Sequence, residues 1–225
     1  MWVKICANTN AEDVNRAAEL GANAVGFVFA KSPRRVNATK VDEITKELRE
    51  RWSTVERIGV FSFAEIEAIS ETVKTARLTG VQLHGGYSEH LVEALREEFG
   101  GDLRIIQTSY WRVGGQVPSA FAAGLKQLSL AADVDDVLVD SRTAVADGGT
   151  GIAFDWEAAR EALSSLGKKP LIVAGGLNPG NVTEAIRVLD PWGVDVASGV
   201  EASPGVKDEA RLRGFIEAAR GAKAR

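Results

Sequence analysis

The chain has 225 residues, 45% of them hydrophobic and 26% charged, with a formal net charge of −4. That size allows a core that needs no disulfide or structural metal, and a lone cysteine, Cys6, excludes both an internal disulfide and a cysteine-rich zinc site. The slightly acidic balance argues against nucleic acid, while the absence of a signal-peptide pattern in MWVKICANTN and of any membrane-length apolar run predicts a cytoplasmic protein with no membrane partner.

Short β-branched runs alternate with amphipathic stretches along the chain. The first strand is expected at Trp2–Cys6. Thr9 and Glu12 then have capping-box spacing, and Val14, Ala17 and Ala18 form one helical face. A second strand at Ala24–Phe29 leads to a helix opened by Thr39 that carries Val41, Ile44 and Leu48. The third strand, Arg57–Phe61, precedes a helix marked by Ile66, Ile69 and Val73. The fourth, Gly80–His84, precedes one that begins after Ser88 and carries Leu91 and Leu95. Strands five to eight are expected at Leu103–Gln107, Asp136–Asp140, Pro170–Ala174 and Val194–Ser198. Asn178-Pro179 reads as a cap followed by the first helical position. The last helix, near Asp208–Arg220, buries Leu212, Phe215 and Ile216.

Runs such as AVGFVF, VLVD and LIVA are nearly all apolar, as parallel strands covered on both faces are. Eight such strands, each with its helix in about 28 residues, predict an α/β chain folded as a single (β/α)8 TIM barrel over residues 1–225. A doubly wound sheet also alternates, but KICANTN lacks the glycine fingerprint that should follow its first strand.

In such a barrel the reacting groups sit where strands end. Cys6, His84, Asp140 and Ser198 fall at the ends of strands one, four, six and eight, and the basic run Lys31–Arg35 follows strand two. Two glycine signals follow the last two strands, Gly175-Gly176 in AGGLNPGNV and Ser198-Gly199 in ASGVEASPG. Either alone reads as a turn. Together, after strands seven and eight, they read as a phosphate cradle of backbone N–H groups, helped by the helix N-terminus after Asn178. DGGTG at 147–151 is a third glycine run, which fits a loop covering the site.

These segments resemble the phosphoribosylanthranilate isomerase family of tryptophan biosynthesis. The likeness is carried in order by KIC (4–6), VGFVF with KSPR (25–34), VQLHG (81–85), LVD (138–140), GGTG with FDW (148–156), AGGLNP (174–179) and VDVASGVE with SPGVKD (194–208). It implies an Amadori rearrangement with no cofactor and no metal, on a phosphorylated small-molecule substrate. By the same resemblance Cys6 is the general base, Asp140 the general acid, and Arg34 the group that holds the anthranilate carboxylate, with Arg35 as the alternative. Gly175, Gly176, Ser198 and Gly199 would hold the phosphate, and His84 and Asp195 would lie near the pocket. The chain departs from the family where KIC is followed by Ala7-Asn8 rather than glycine, where Gln107 replaces a strand-five lysine, and where Ile152-Ala153 follows Gly-Gly-Thr-Gly.

Two alternatives stand beside this reading. The related isomerase of histidine biosynthesis performs the same rearrangement with two aspartates, and Cys6 argues against it. A catalytically inert phosphate-binding barrel is the other, and the joint presence of Cys6, Arg34 and Asp140 argues against that.

Overall fold

The computed structural model describes residues 1–62, 65–112, 119–142 and 155–222. The glycine run at 147–151 and Ile152-Ala153 lie outside the described residues. Eight parallel strands close into a barrel in chain order: β1 (Trp2–Ile5), β2 (Ala24–Val28), β3 (Glu56–Phe61), β4 (Gly80–Leu83), β5 (Arg104–Arg112), β6 (Asp136–Arg142), β7 (Leu171–Val173) and β8 (Gly193–Val196). The barrel shuts where β1 pairs with β8, Trp2 opposite Gly193 and Lys4 opposite Asp195.

Helices fill the connections: α1 (Ala11–Glu19), α2 (Ala38–Ile44), α3 (Lys46–Arg51), α4 (Ile66–Ala76), α5 (Glu89–Phe99), α6 (Ser119–Leu130), α7 (Trp156–Leu163) and α8 (Val182–Leu189). A short hairpin, β9 (Glu201–Ser203) with β10 (Val206–Lys207), follows β8 and leads into α9 (Glu209–Gly221).

Alternation along the strands sorts their side chains into two cores. Outward residues such as Val3, Val25, Val81, Ile105 and Val137 pack under the helices. Inward residues form a separate cluster that includes Trp2, Ala24, Ile58, Ile106, Leu138 and Ile172. Each large apolar side chain buried this way contributes about 1.5–3 kcal/mol. That inner cluster plugs the barrel and separates its two ends.

The helix starts correct three expectations. Asn10, not Thr9, caps α1, accepting from the Asp13 backbone N–H at 2.9 Å, because the Thr9 hydroxyl is used on the Gly205 carbonyl at 2.6 Å. Asn37, not Thr39, caps α2 through the Lys40 N–H. Asn178-Pro179 does not open α8. Asn178 Oδ1 accepts from the Gly180 N–H at 2.8 Å, which makes a tight turn, and the helix begins after Asn181. Strand β5 also runs on to Arg112, well past the expected Gln107, because Thr108, Tyr110 and Trp111 suit a pleated ladder and pair with β6 as far as Ser141.

Candidate active site

Past the apolar plug, the C-terminal strand ends enclose a cavity of about 480 Å³. All nine residues singled out in the sequence line it: Cys6, Arg34, His84, Asp140 and Asp195, with Gly175, Gly176, Ser198 and Gly199. Cys6 and His84 stand one residue beyond β1 and β4, Asp140 lies within β6, and Ser198 opens a turn just after β8. Of the basic pair, Arg34 lines the cavity and Arg35 does not.

The two glycine loops are built against each other. Gly175 and Gly176 have φ of 82° and 66°, conformations that side chains rarely adopt. A Cβ on Gly175 would lie 2.7 Å from Asp140 Oδ1, and one on Gly199 would collide with the Leu177 carbonyl oxygen. Asn181 locks the first loop by accepting from the Asn178 N–H at 2.8 Å and donating to the Gly176 carbonyl at 2.9 Å. This second use of Asn181 leaves no side-chain cap for α8, so its first N–H groups are free of side-chain acceptors.

Arg34 is clamped by Glu201 from the hairpin. Its Nε donates to both carboxylate oxygens, at 2.9 and 3.0 Å, and Nη2 donates at 2.6 Å. The clamp uses one N–H on each nitrogen and leaves three of the five guanidinium N–H groups for a ligand. Burial alone would raise the Glu201 carboxyl; Arg34, Lys207 and the Gly205 N–H outweigh it and hold the group below the usual carboxylate range.

A second polar cluster lies between β1, β4 and β8. Lys4 is fully buried and pairs with Asp195 Oδ2 at 3.0 Å while donating to Gln82 Oε1 at 2.9 Å. Gln82 continues to His84 Nδ1 and to the Thr108 hydroxyl, each at 3.3 Å, and His84 Nε2 lies 4.0 Å from Asp140 Oδ2. On the hairpin side, Lys207 donates to the Cys6 backbone carbonyl at 2.5 Å and sits 3.4 Å from Glu201. Burial pushes the Cys6 thiol up, and Asp195 adds to this; Lys4 and Lys207 pull the other way. Cys6 in the free protein is therefore a thiol of raised pKa, so a base there needs its thiolate to be favoured.

Gln107 does not line the cavity. Its amide donates to the carbonyls of Leu83, Gly85 and Thr108, which ties β5 to the end of β4. Ala7 holds φ of 62°, the left-handed region that glycine enters freely; for alanine it costs about 1–2 kcal/mol. Lys4, Gln82, Glu201 and Lys207 were not singled out from the sequence. The available signal was Lys4 and Gln82 themselves, polar residues set at inward positions of otherwise apolar strands.

With this geometry in hand, known proteins give a consistent answer. The model of the family described as N-(5'phosphoribosyl)anthranilate (PRA) isomerase matches residues 3–218. The chain belongs to that family. A relative named N-(5'-phosphoribosyl)anthranilate isomerase, from Geotalea uraniireducens (strain Rf4), is 39% identical over 97% of this chain and 98% of its own length. The crystal structure of the family member from Thermotoga maritima superposes with a TM-score of 0.80 at 34% identity, covering 98% of this chain and 99% of that one. Another solved member, in complex with reduced 1-(o-carboxyphenylamino)-1-deoxyribulose 5-phosphate, gives a TM-score of 0.77 at 33% identity, covering 98% of this chain and 99% of its own.

Proposed function

We infer that this chain, acting as one domain, isomerises N-(5-phosphoribosyl)anthranilate to 1-(2-carboxyphenylamino)-1-deoxyribulose 5-phosphate in tryptophan biosynthesis. The observation that carries the reading is that Cys6, Asp140, Arg34 and both glycine loops converge on one cavity at the C-terminal strand ends. The family's solved complex with a reduced product supports a substrate of this kind.

The substrate has a phosphate at one end and a carboxylate at the other. The loops after β7 and β8 suit the phosphate, since close-packed glycines and the α8 N-terminus present N–H groups there. Arg34 suits the carboxylate, because a planar guanidinium can bond it through parallel N–H groups. Anchored at both ends, the ribose lies between Cys6 and Asp140.

The reaction then needs two proton transfers. The Asp140 carboxyl protonates the furanose ring oxygen, the C1′–O bond breaks, and the nitrogen lone pair forms the C1′=N iminium. The Cys6 thiolate takes the proton from C2′, and that electron pair becomes the C1′=C2′ bond as the nitrogen is neutralised. The enolamine moves its hydroxyl proton to C1′ and becomes the ketone. Cys6 is left as thiol and Asp140 as carboxylate, so one proton passed back resets the site. The change is internal to the substrate and consumes no redox equivalent.

The test is growth. The gene should rescue a tryptophan auxotroph lacking only this step and leave a histidine auxotroph lacking the analogous isomerase unrescued. Rescue of the histidine strain alone would overturn the assignment.

A further inference from the structure

A cysteine base in this cavity faces a difficulty. Cys6 is only 6% exposed, and a thiolate there must be formed with little help from water. Its charged surroundings are countable. Lys31, Arg34, Glu201 and Lys207 approach from the β2 loop and the hairpin, Asp195 from β8, His84 and Asp140 from β4 and β6, and Lys4 from its own strand.

Two of the cations are committed elsewhere. The Arg34 guanidinium is clamped by Glu201. The Lys207 ammonium is held on the Cys6 backbone carbonyl and beside the same Glu201 carboxylate. Lys4 is different. Its side chain and the Cys6 sulfur share the space over Gly26: a Cβ built there would lie 2.7 Å from Cys6 Sγ and 3.0 Å from Lys4 Cε. The ammonium is fixed by Asp195 at 3.0 Å and Gln82 at 2.9 Å, and its charge favours the anionic form of the neighbouring sulfur. Asp195 keeps its other oxygen, Oδ1, buried and without a hydrogen-bond partner among the described residues.

We propose that Lys4 is a positioning residue that makes the anionic, proton-accepting form of Cys6 accessible, with Asp195 and Gln82 holding its buried ammonium against the sulfur. The inference rests on the reading of Cys6 as the base. Lys4 keeps its own proton throughout, because Asp195 and the sulfur both favour the ammonium over the free amine. Asp195 has two opposed effects: its charge disfavours the thiolate, while its grip aims the cation that favours it.

Cys6 is the only cysteine, so the pH dependence of iodoacetamide alkylation, or of thiolate ultraviolet absorbance, reads its titration alone. Lys4→Met should move the titration midpoint up by about one pH unit or more, the effect of losing an adjacent opposite charge. The acid limb of the kcat/KM profile should move with it, which at a fixed pH below both midpoints means about a tenfold slower reaction. Asp195→Asn should move the thiol midpoint down through loss of a like charge, whereas the upward shift in Lys4→Met is the direction that loosened packing does not explain, because water admitted to a buried thiol lowers its midpoint. If Lys4→Met fails to fold with Asp195 left unpaired, the Lys4→Met/Asp195→Asn double variant compared with Asp195→Asn isolates the same difference. Coincident thiol titrations with and without Lys4 would overturn the proposal. Wild-type turnover by Cys6→Ser would instead overturn the reading of Cys6 as base, while the titration still measured the Lys4–Cys6 coupling.

Discussion

Gly26 lies beneath the Cys6 sulfur, and the missing side chain is what lets the thiol and Lys4 occupy one layer of the barrel. Gly26→Ala would place a methyl group 2.7 Å from Cys6 Sγ, so the sulfur must shift. A misplacement of about 1 Å at a reacting group costs roughly 10²-fold in rate. The expected result is therefore a large fall in kcat with phosphate affinity unchanged, checked by steady-state kinetics beside calorimetric titration with inorganic phosphate. Arg34→Ala should act the other way, weakening substrate binding by about 2–4 kcal/mol through loss of a charge-paired carboxylate contact. It also leaves the buried Glu201 carboxylate without its clamp, so thermal stability should drop with affinity. Arg35→Ala, outside the cavity, should alter neither.

At the level of elements, the N-terminal strand ends carry an ionic knot remote from the cavity. Arg104, at the start of β5, bonds Asp136 through two parallel contacts of 2.6 and 2.9 Å and Glu56 at 2.9 Å. Its guanidinium also stands over the Trp2 and Trp192 rings, at 5.2 and 4.5 Å. Removing Arg104 strands the buried Asp136 carboxylate, and an unpaired buried charge costs about 3–5 kcal/mol. Arg104→Met should lower the melting temperature by roughly 10 °C, with kcat per folded molecule preserved because the cavity lies at the opposite strand ends. Loss of turnover in folded Arg104→Met would contradict this division of the barrel into a stabilising end and a reacting end. The strands were largely legible because being covered on both faces demands unbroken apolar runs such as AVGFVF. The helix starts were less so. Thr9, Asn10, Asn37, Thr39, Asn178 and Asn181 all have side chains able to cap, and tertiary contacts decided among them, as the Thr9 bond to Gly205 shows. Lys4 was hidden for a related reason: a strand lysine usually marks solvent, and only barrel closure brings Asp195 beside it.

For the molecule as a whole, the barrel turns one sequence pattern into two unlike ends separated by the inner apolar cluster. Site residues that lie far apart in the chain, such as Cys6, Asp140 and Ser198, became legible together because each sits near a strand's C-terminal end. What sequence order could not convey was which charges face each other across the closed ring, and those contacts set the Cys6 environment. The central claim is that this cavity performs the rearrangement through Cys6 and Asp140. The most direct measurement incubates purified protein with N-(5-phosphoribosyl)anthranilate, follows the ketose product by chromatography, and compares the unaltered chain with Cys6→Ser and Asp140→Asn. Turnover by the unaltered chain is expected without added cofactor, with a loss of about 10²–10⁴-fold in each folded variant and much smaller changes in substrate affinity. Absence of product from the unaltered chain, or undiminished turnover by Cys6→Ser, would contradict it.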